Sequence, residues 1–239
     1  MKTELEDATR SNWNPLFKLG GVSALMMVGI IIAQMIVFMS VPPPYEGDAS
    51  AWFELFQNNK IIGLLNFELL MIAYVFLSIP IMLSLYVLLR RVSPSFTALY
   101  IVLSLIGIVS FIIARPAFEM LSLSNGYAAA TTDAERAIYL SAGETLLAIF
   151  HGTAFQVSYV LGSLSGLIIS LVMLKADIFS KTTAYLRIAS SVFDFGLYVP
   201  VVGMYISIFS VLFLLIWDIL IARRLFQLGR NESTKAGSQ

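Results

Sequence analysis

Six long runs of apolar residues, nearly free of charge, constrain this chain more than any other feature. A helix needs about 20 such residues to cross a hydrocarbon core of roughly 30 Å. The sequence therefore predicts an all-α polytopic membrane protein, a six-helix transmembrane bundle. The predicted spans are residues 19–41, 61–89, 96–118, 146–174, 184–200 and 202–222.

Composition supports lipid as the solvent and excludes several functions. Of the 239 residues, 58% are hydrophobic and 13% are charged, whereas about a quarter of a soluble domain is charged. Such a chain cannot cover itself with polar surface in water, which excludes an ordinary soluble enzyme. Fifteen basic residues balance fifteen acidic ones, so no net field favours nucleic acid. The absence of cysteine excludes disulfides and thiolate metal sites. We expect membrane lipids as partners and no cofactor.

The basic residues predict an orientation in the cell membrane. Cytoplasmic connections carry an excess of Lys and Arg. With the N-terminus inside, three of the fifteen basic residues fall outside: Lys60, Arg115 and Arg136. The other twelve fall on the inner side: Lys2, Arg10, Lys18, Arg90, Arg91, Lys175, Lys181, Arg187, Arg223, Arg224, Arg230 and Lys235. Both termini are therefore predicted to be cytoplasmic.

The chain divides into one membrane domain and two flanking segments. Residues 1–18 are predicted to be a cytoplasmic N-terminal segment, and residues 19–229 form the six-helix domain. Residues 230–239 are small and polar, which is typical of a disordered tail. The first apolar run exceeds the 7–15 residues of a signal-peptide core, so we expect it to be a retained helix.

Two outer connections carry helix signals of their own. Residues 49–59 follow Asp48, a favourable N-cap, and place Trp52 and Phe56 on one side of a helix. An amphipathic piece of this kind usually lies in the membrane interface. We therefore expect a short outer interfacial helix, which in the simplest case only anchors its loop.

A capping box at Thr132 and Glu135 starts the longest predicted helix. No proline follows before Leu174, so the helix would reach about 60 Å at 1.5 Å per residue. That length exceeds the whole bilayer with its headgroups. We expect its first turns to protrude outside, or a bend near Gly143 or Gly152.

Polar residues inside the predicted spans form the candidate site. An ionisable group at the centre of a membrane helix costs about 2.5–3.5 kcal/mol, so each such residue needs an explanation. Most of them converge on the outer half of the bundle. The predicted ligand-binding cluster is Glu68, Arg115, Glu119, Glu144, His151, Gln156, Asp194 and Tyr198. No residue is predicted to be catalytic, and no metal site is predicted.

Helical spacing suggests partners within this cluster. Arg115 and Glu119 lie four residues apart around Pro116, where we expect a kink because proline removes one backbone hydrogen bond. They can form a local ion pair. Alternatively, Glu68 reaches Arg115 from the neighbouring helix. Asp218 lies at the predicted inner end of the last span, where we expect it to snorkel or to pair with the adjacent arginines.

Three functions are compatible with these features. The first is a non-catalytic membrane protein whose outer-leaflet polar cavity binds a lipid or small ligand, or docks a partner. The second is a proton- or ion-coupled small-molecule transporter. The third is a metal-dependent intramembrane hydrolase with Glu144, His151 and Asp194 as ligands. The sequence contains one histidine and none of the G-x-S-x-G, H-E-x-x-H or phosphate-loop motifs, which favours the first.

A resemblance to a known family is carried by six stretches, residues 130–136, 141–144, 150–153, 163–174, 200–203 and 217–225. Together they resemble an uncharacterised family of multi-pass membrane proteins, domain-of-unknown-function family 4386. The resemblance extends over about residues 15–229 and is spread over long, diffuse motifs. It implies a helical integral membrane protein, mostly of bacteria and archaea, and no reaction, substrate or catalytic residue.

Overall fold

The computed structural model describes residues 13–230, and every regular element in that part of the chain is helical. The all-α class is thus confirmed. The predicted terminal segments, apart from residues 13–18 and 230, lie outside the described residues. The helices are α1 (Asn14–Ser40), α2 (Ala49–Asn58), α3 (Lys60–Asn66), α4 (Leu69–Leu89), α5 (Pro94–Ile113), α6 (Ala117–Ala129), α7 (Asp133–Phe150), α8 (Thr153–Leu174), α9 (Lys181–Asp194) and α10 (Gly203–Arg230), with a 3-10 turn at Phe195–Tyr198.

Five helical stretches among the described residues are long and apolar enough to cross a membrane. They are Asn14–Ser40, Leu69–Leu89, Pro94–Ala129, Asp133–Leu174 and Tyr205–Arg230. The chain is thus compatible with a multi-pass membrane protein. The sixth predicted span, residues 184–200, instead forms the 14-residue α9 and the 3-10 turn. The count of six membrane helices is therefore not confirmed.

Three of the long apolar runs are interrupted. The run at 61–89, predicted as one helix, breaks between α3 and α4, where Glu68 adopts a φ of 61°. This left-handed conformation is uncommon outside glycine and ends a helix. A second break separates α5 from α6 at Pro116, and the predicted kink is confirmed there. The missing N–H of proline explains it.

The third break divides the longest predicted helix into α7 and α8 at His151 and Gly152, which confirms the expected bend near Gly152. A Cβ atom added at Gly152 would lie 2.6 Å from the carbonyl oxygen of Ala148, so only glycine fits this turn. The capping box is also present: Thr132 Oγ1 accepts from the Glu135 N–H, and the Glu135 carboxylate accepts from the Thr132 N–H.

The described chain divides into two compact units. Unit 1 comprises residues 13–29, Val75–Ile106 and residues 160–230. Unit 2 comprises Ile30–Tyr74 and Gly107–Tyr159.

Aromatic side chains form the core of unit 2. Phe67 packs against Trp52 with ring centroids 5.0 Å apart and against Phe150 at 4.5 Å. Both Trp52 and Phe56, which we expected to lie in the membrane interface, are buried within this core. That expectation for the aromatic side of α2 is wrong, because α2 packs on protein through this side. The predicted helix and its N-cap are confirmed: Asp48 accepts from two backbone N–H groups, and hydrogen bonds to Ser50 and Ala51 hold its pKa below the usual value.

Unit 1 is organised around the packing of α9 against α10. Its largest fully buried side chains come from three helices, α4, α8 and α10: Leu85, Leu89, Ile169, Met173, Ile221 and Leu225. Gly20 of α1 allows close approach, since an added Cβ atom would lie 3.0 Å from Leu225 and 2.8 Å from the Ser84 hydroxyl. Many large apolar side chains on the spans remain uncovered by protein, as expected of helices that contact lipid.

Two glycines provide a matched test of the packing of α3 on α2. An added Cβ atom at Gly63 would lie 2.5 Å from the buried ring of Phe56, whereas one at Gly162 meets nothing within 4 Å. We expect Gly63→Ala to destabilise the protein by about 1–3 kcal/mol through overpacking. Gly162→Ala should be neutral or should stabilise by up to about 1 kcal/mol. Thermal unfolding in detergent measures both, and equal melting temperatures would contradict the packing of α3 on α2.

Candidate functional site

Glu68 and Arg115 form an ion pair in unit 2. Glu68 Oε2 lies 2.7 Å from both Nε and Nη2 of Arg115. The arginine side chain is 3% exposed and the glutamate side chain 18%. Glu119, the other predicted partner of Arg115, is exposed. The interhelical pair suggested by the sequence is therefore the one that forms.

The remaining nitrogen of the guanidinium contacts two helix breaks. Arg115 Nη1 donates to the carbonyl oxygens of Ala114 at 3.1 Å and Phe150 at 3.2 Å. These carbonyls lie where α5 and α7 end, and groups at helix ends lack a partner within the helix. Because Glu68 lies at the break between α3 and α4, one side chain bonds to residues at all three breaks.

Three aromatic rings surround the same cation. The guanidinium carbon lies 4.3 Å from the ring centroid of Phe111, 4.4 Å from that of Phe150 and 4.9 Å from that of Phe155. Cation–π contacts of this kind contribute about 2 kcal/mol when they are desolvated. Arg115 is therefore held on its charged edge by hydrogen bonds and on its faces by rings.

Tyr45 completes the group, and the sequence analysis did not identify it. Its hydroxyl donates to Glu68 Oε1 at 3.3 Å. Burial raises the pKa of the Tyr45 phenol, and the Glu68 carboxylate raises it further. A tyrosine directly after a proline run beside two membrane helices was the available signal, since buried tyrosine hydroxyls usually have a partner. We call Tyr45, Glu68, Arg115 and the carbonyls of Ala114 and Phe150 the Arg115 network.

The predicted residues on α7 and α8 have other contacts within unit 2. The His151 ring packs edge-on against Tyr45 and Phe150, with centroids 6.1 Å and 4.8 Å away. Glu144 accepts a 2.7 Å hydrogen bond from the Ala49 N–H, at the first residue of α2. Its negative charge is thus favourably placed at a helix N-terminus.

Only the nitrogen of the Gln156 side-chain amide makes a hydrogen bond. Its Nε2 donates to the His151 carbonyl at 3.2 Å, while its buried Oε1 has no partner. Within residues 13–230, no group of three or more His, Asp or Glu side chains could together hold a metal ion.

Asp194 and Tyr198, the last two predicted site residues, belong to unit 1. The Asp194 carboxylate lies 3.5 Å from the Ser163 hydroxyl, and Tyr198 is exposed. The Arg115 network, all in unit 2, therefore contains two of the eight predicted residues, with His151 packed against it.

Asp218 does not lie where the sequence placed it. The last helix continues to Arg230, so Asp218 is near the middle of its span rather than at the inner end. The carboxyl is completely buried, and neither oxygen has a hydrogen-bond partner. The expected snorkelling or pairing with adjacent arginines is thus wrong, because both depend on a helix end near Asp218.

A cavity of about 400 Å³ lies near the C-terminal end of α10, within unit 1. It is lined by the segment that leads into α9 and by the last turns of α10. Its polar lining residues are Asp177, Ser180, Thr183, Arg223, Arg224 and Gln227. Arg224 is fixed there, because its Nε donates to the Ile178 carbonyl at 2.6 Å and its Nη1 to Gln227 Oε1 at 3.3 Å.

Removing the cation of the Arg115 network should strongly destabilise the protein. We expect Arg115→Leu to cost about 3 kcal/mol, since it leaves the Glu68 carboxylate partly buried without its partner. Replacing both residues with leucine should recover most of that loss. Glu119→Gln, at an exposed carboxylate on α6, should change stability by less than about 0.5 kcal/mol. Thermal unfolding measures all three, and an Arg115→Leu protein that melts like the wild type would contradict the network.

Tyr45 makes stability depend on pH in the alkaline range. Unfolded tyrosine ionises near pH 10, and the folded phenol has a raised pKa, so the unfolded chain loses its proton first. The Tyr45 contribution is complete below about pH 10 and is lost as the pH rises further. We expect the wild type to lose more stability than Tyr45→Phe between about pH 8 and about pH 11. Parallel pH dependences of the two melting temperatures would contradict this.

Comparison with known proteins yields a family and no function. No curated protein and no solved structure matches the chain. The family described as Domain of unknown function (DUF4386) matches residues 19–228, which is most of the sequence. The match agrees with the resemblance seen in the sequence, and the chain belongs to this family.

Proposed function

We propose that this protein is a non-catalytic integral membrane protein that binds the anionic headgroup of a membrane phospholipid in the cavity beside Arg223 and Arg224. The observation that carries the proposal is the position of this cavity at the C-terminal end of an exposed apolar stripe on α10. The proposed site replaces the outer polar cavity expected from the sequence, because Glu68 and Arg115 are occupied by each other.

The lining of the cavity suits a phosphate group. Two guanidiniums outweigh the single carboxylate of Asp177, and the bonds of Arg224 use only two of its five N–H donors. Ser180 and Thr183 add hydroxyl groups at the N-terminus of α9. Helix N-termini favour anions because their N–H groups and the helix dipole point toward the ligand.

The apolar stripe favours a lipid over a free anion. Leu212, Ile216 and Ile219 precede Arg223 by eleven, seven and four residues, so all four share one face of α10. Each of these three apolar side chains is about half exposed. A headgroup held at Arg223 would therefore place its acyl chains along this stripe.

The proposal includes six membrane crossings, with α9 and the 3-10 turn as the fifth. Together they extend about 29 Å, close to the thickness of the hydrocarbon core. The cavity brings the start of α9 next to the end of α10, as expected of two antiparallel neighbours. The chain would then cross the membrane away from the cavity end in α9 and return to that end in α10. In this arrangement α2 lies on the outer side and packs on the other helices of unit 2.

The positive-inside rule supports the same arrangement. Lys175 and Lys181 flank the connection between α8 and α9, whose residues line the cavity, and Arg223 and Arg224 of α10 line the same cavity. This end would face the cytoplasm, with both chain termini, in the cell membrane. The cytoplasmic leaflet carries the anionic lipids that basic pockets between membrane helices recognise.

One observation favours the second function considered, proton- or ion-coupled transport. It is the completely buried carboxyl of Asp218, whose oxygens accept no hydrogen bond. Glu144, one of the residues first considered for that role, instead has a contact that stabilises the fold, because its carboxylate accepts a hydrogen bond from the N–H of Ala49.

Lipid binding can be measured by native mass spectrometry and in nanodiscs. We expect the wild type to retain phosphatidylglycerol and not phosphatidylcholine. Each basic residue near an anionic lipid contributes about 1 kcal/mol. Arg223→Ala should therefore weaken binding by about fivefold, and Arg223→Ala with Arg224→Ala by about thirtyfold. Free inorganic phosphate should compete poorly, because it has no acyl chains.

The matched control removes the same charge outside the cavity. Lys175 and Arg230 are exposed residues of unit 1 that do not line it. Lys175→Ala with Arg230→Ala should leave the binding nearly unchanged. Equal losses in both double variants would indicate nonspecific attraction and would contradict the proposed site. Arg223 is exposed, so its single variant tests binding without disturbing the fold.

A further inference from the structure

Four buried polar atoms on α9 and α10 have no hydrogen-bond partner. They are Ser191 Oγ, Trp217 Nε1 and both carboxylate oxygens of Asp218. Asp218 and Ser191 are completely buried, and Trp217 is nearly so. Buried polar groups in folded proteins are almost always paired, and a missing partner requires an explanation.

Arg187 of α9 is the nearby cation. Its guanidinium carbon lies 5.4 Å from the ring centroid of Trp217, and its Nη1 donates to the Ser190 hydroxyl at 3.3 Å. Gly166 of α8 provides the space: an added Cβ atom would overlap both the Ser191 hydroxyl and the guanidinium. Arg187 thus acts on the Asp218 carboxyl electrostatically and donates no hydrogen bond to it.

Arg187 is the charged group whose field reaches Asp218, and other titratable groups lie on the surrounding elements. Besides Arg187, the titratable and charged groups of α9 and the 3-10 turn are Lys181, Tyr185, Asp194 and Tyr198. Tyr100 of α5 is buried and is also within the electrostatic reach of Arg187. Lys18 of α1 lies close to Gly229, near the end of α10. Burial and the charge of Arg187 therefore together determine the charge state of Asp218.

The Asp218 carboxyl has two states to compare, ionised and protonated. The ionised form has the attraction of Arg187, yet its oxygens accept no hydrogen bond, which is costly in a membrane span. The protonated form has no charge to solvate and carries an O–H donor of its own. Neither state is fixed by a direct bond, unlike the Glu68 carboxylate, which Arg115 holds through two nitrogens.

We propose that Asp218 is a reversible proton-binding site in the membrane-spanning part of unit 1, with Arg187 as its fixed counter-charge. Uptake forms an O–H bond between a carboxylate oxygen and a proton delivered by water. The charge of the pair then changes from zero to plus one. Release breaks the same bond and returns the proton to water, and no electrons are transferred. The proposal is independent of lipid binding at the cavity.

Infrared spectroscopy of the whole protein in nanodiscs tests the proposal. The carboxylic acid and carboxylate forms of aspartate absorb at separate frequencies. Subtracting the Asp218→Asn spectrum from that of the wild type isolates this residue. We expect the acid band to be replaced by the carboxylate band as the pH rises. In Arg187→Gln, which removes the counter-charge, the midpoint should move to higher pH by about one unit.

Asp177→Asn provides the matched control, since Asp177 is an exposed aspartate of the same unit. The Asp177→Asn subtraction should show no band that responds to Arg187→Gln. The proposal is overturned if Asp218 remains in one form from about pH 4 to about pH 10. It is equally overturned if Arg187→Gln does not move the midpoint. Asparagine closely matches the shape of the protonated acid, so Asp218→Asn should fold, and its melting temperature verifies this.

Discussion

The bonds of Arg115 are the interaction on which unit 2 depends. Three long apolar runs of this chain are each interrupted, and every interruption leaves backbone groups without a partner inside the helix. Arg115 bonds to Glu68 at the first break and to the carbonyls of Ala114 and Phe150 at the other two. A residue that is costly to place in a membrane thus stabilises a fold made of broken helices.

Features encoded by neighbouring residues could be predicted from the sequence, and those that depend on distant contacts could not. The capping box at Thr132, the N-cap at Asp48, the break at Pro116 and the bend near Gly152 all have local causes, and all are present. The break at Glu68 has no such cause in the sequence. Its left-handed backbone accompanies an ion pair with a residue 47 positions away.

The candidate site shows the same division. The sequence selected the ionisable residues within the spans, because lipid makes each of them costly. It paired Glu68 with Arg115 correctly as one of two alternatives. It placed Asp218 wrongly, because the length of α10 is visible only in the fold. Hydropathy also gave no sign that Tyr45 bonds to Glu68, or that a cavity lies beside Arg223.

The order of the three breaks along the chain has a consequence for biosynthesis. Glu68 emerges from the ribosome 47 residues before Arg115, and Phe150 emerges 35 residues after it. The counter-ion of Arg115 is therefore synthesised before the arginine, and the last carbonyl that it binds follows only afterwards. The ion pair can form before α7 is complete, and Phe150 then joins a pair that is already neutral.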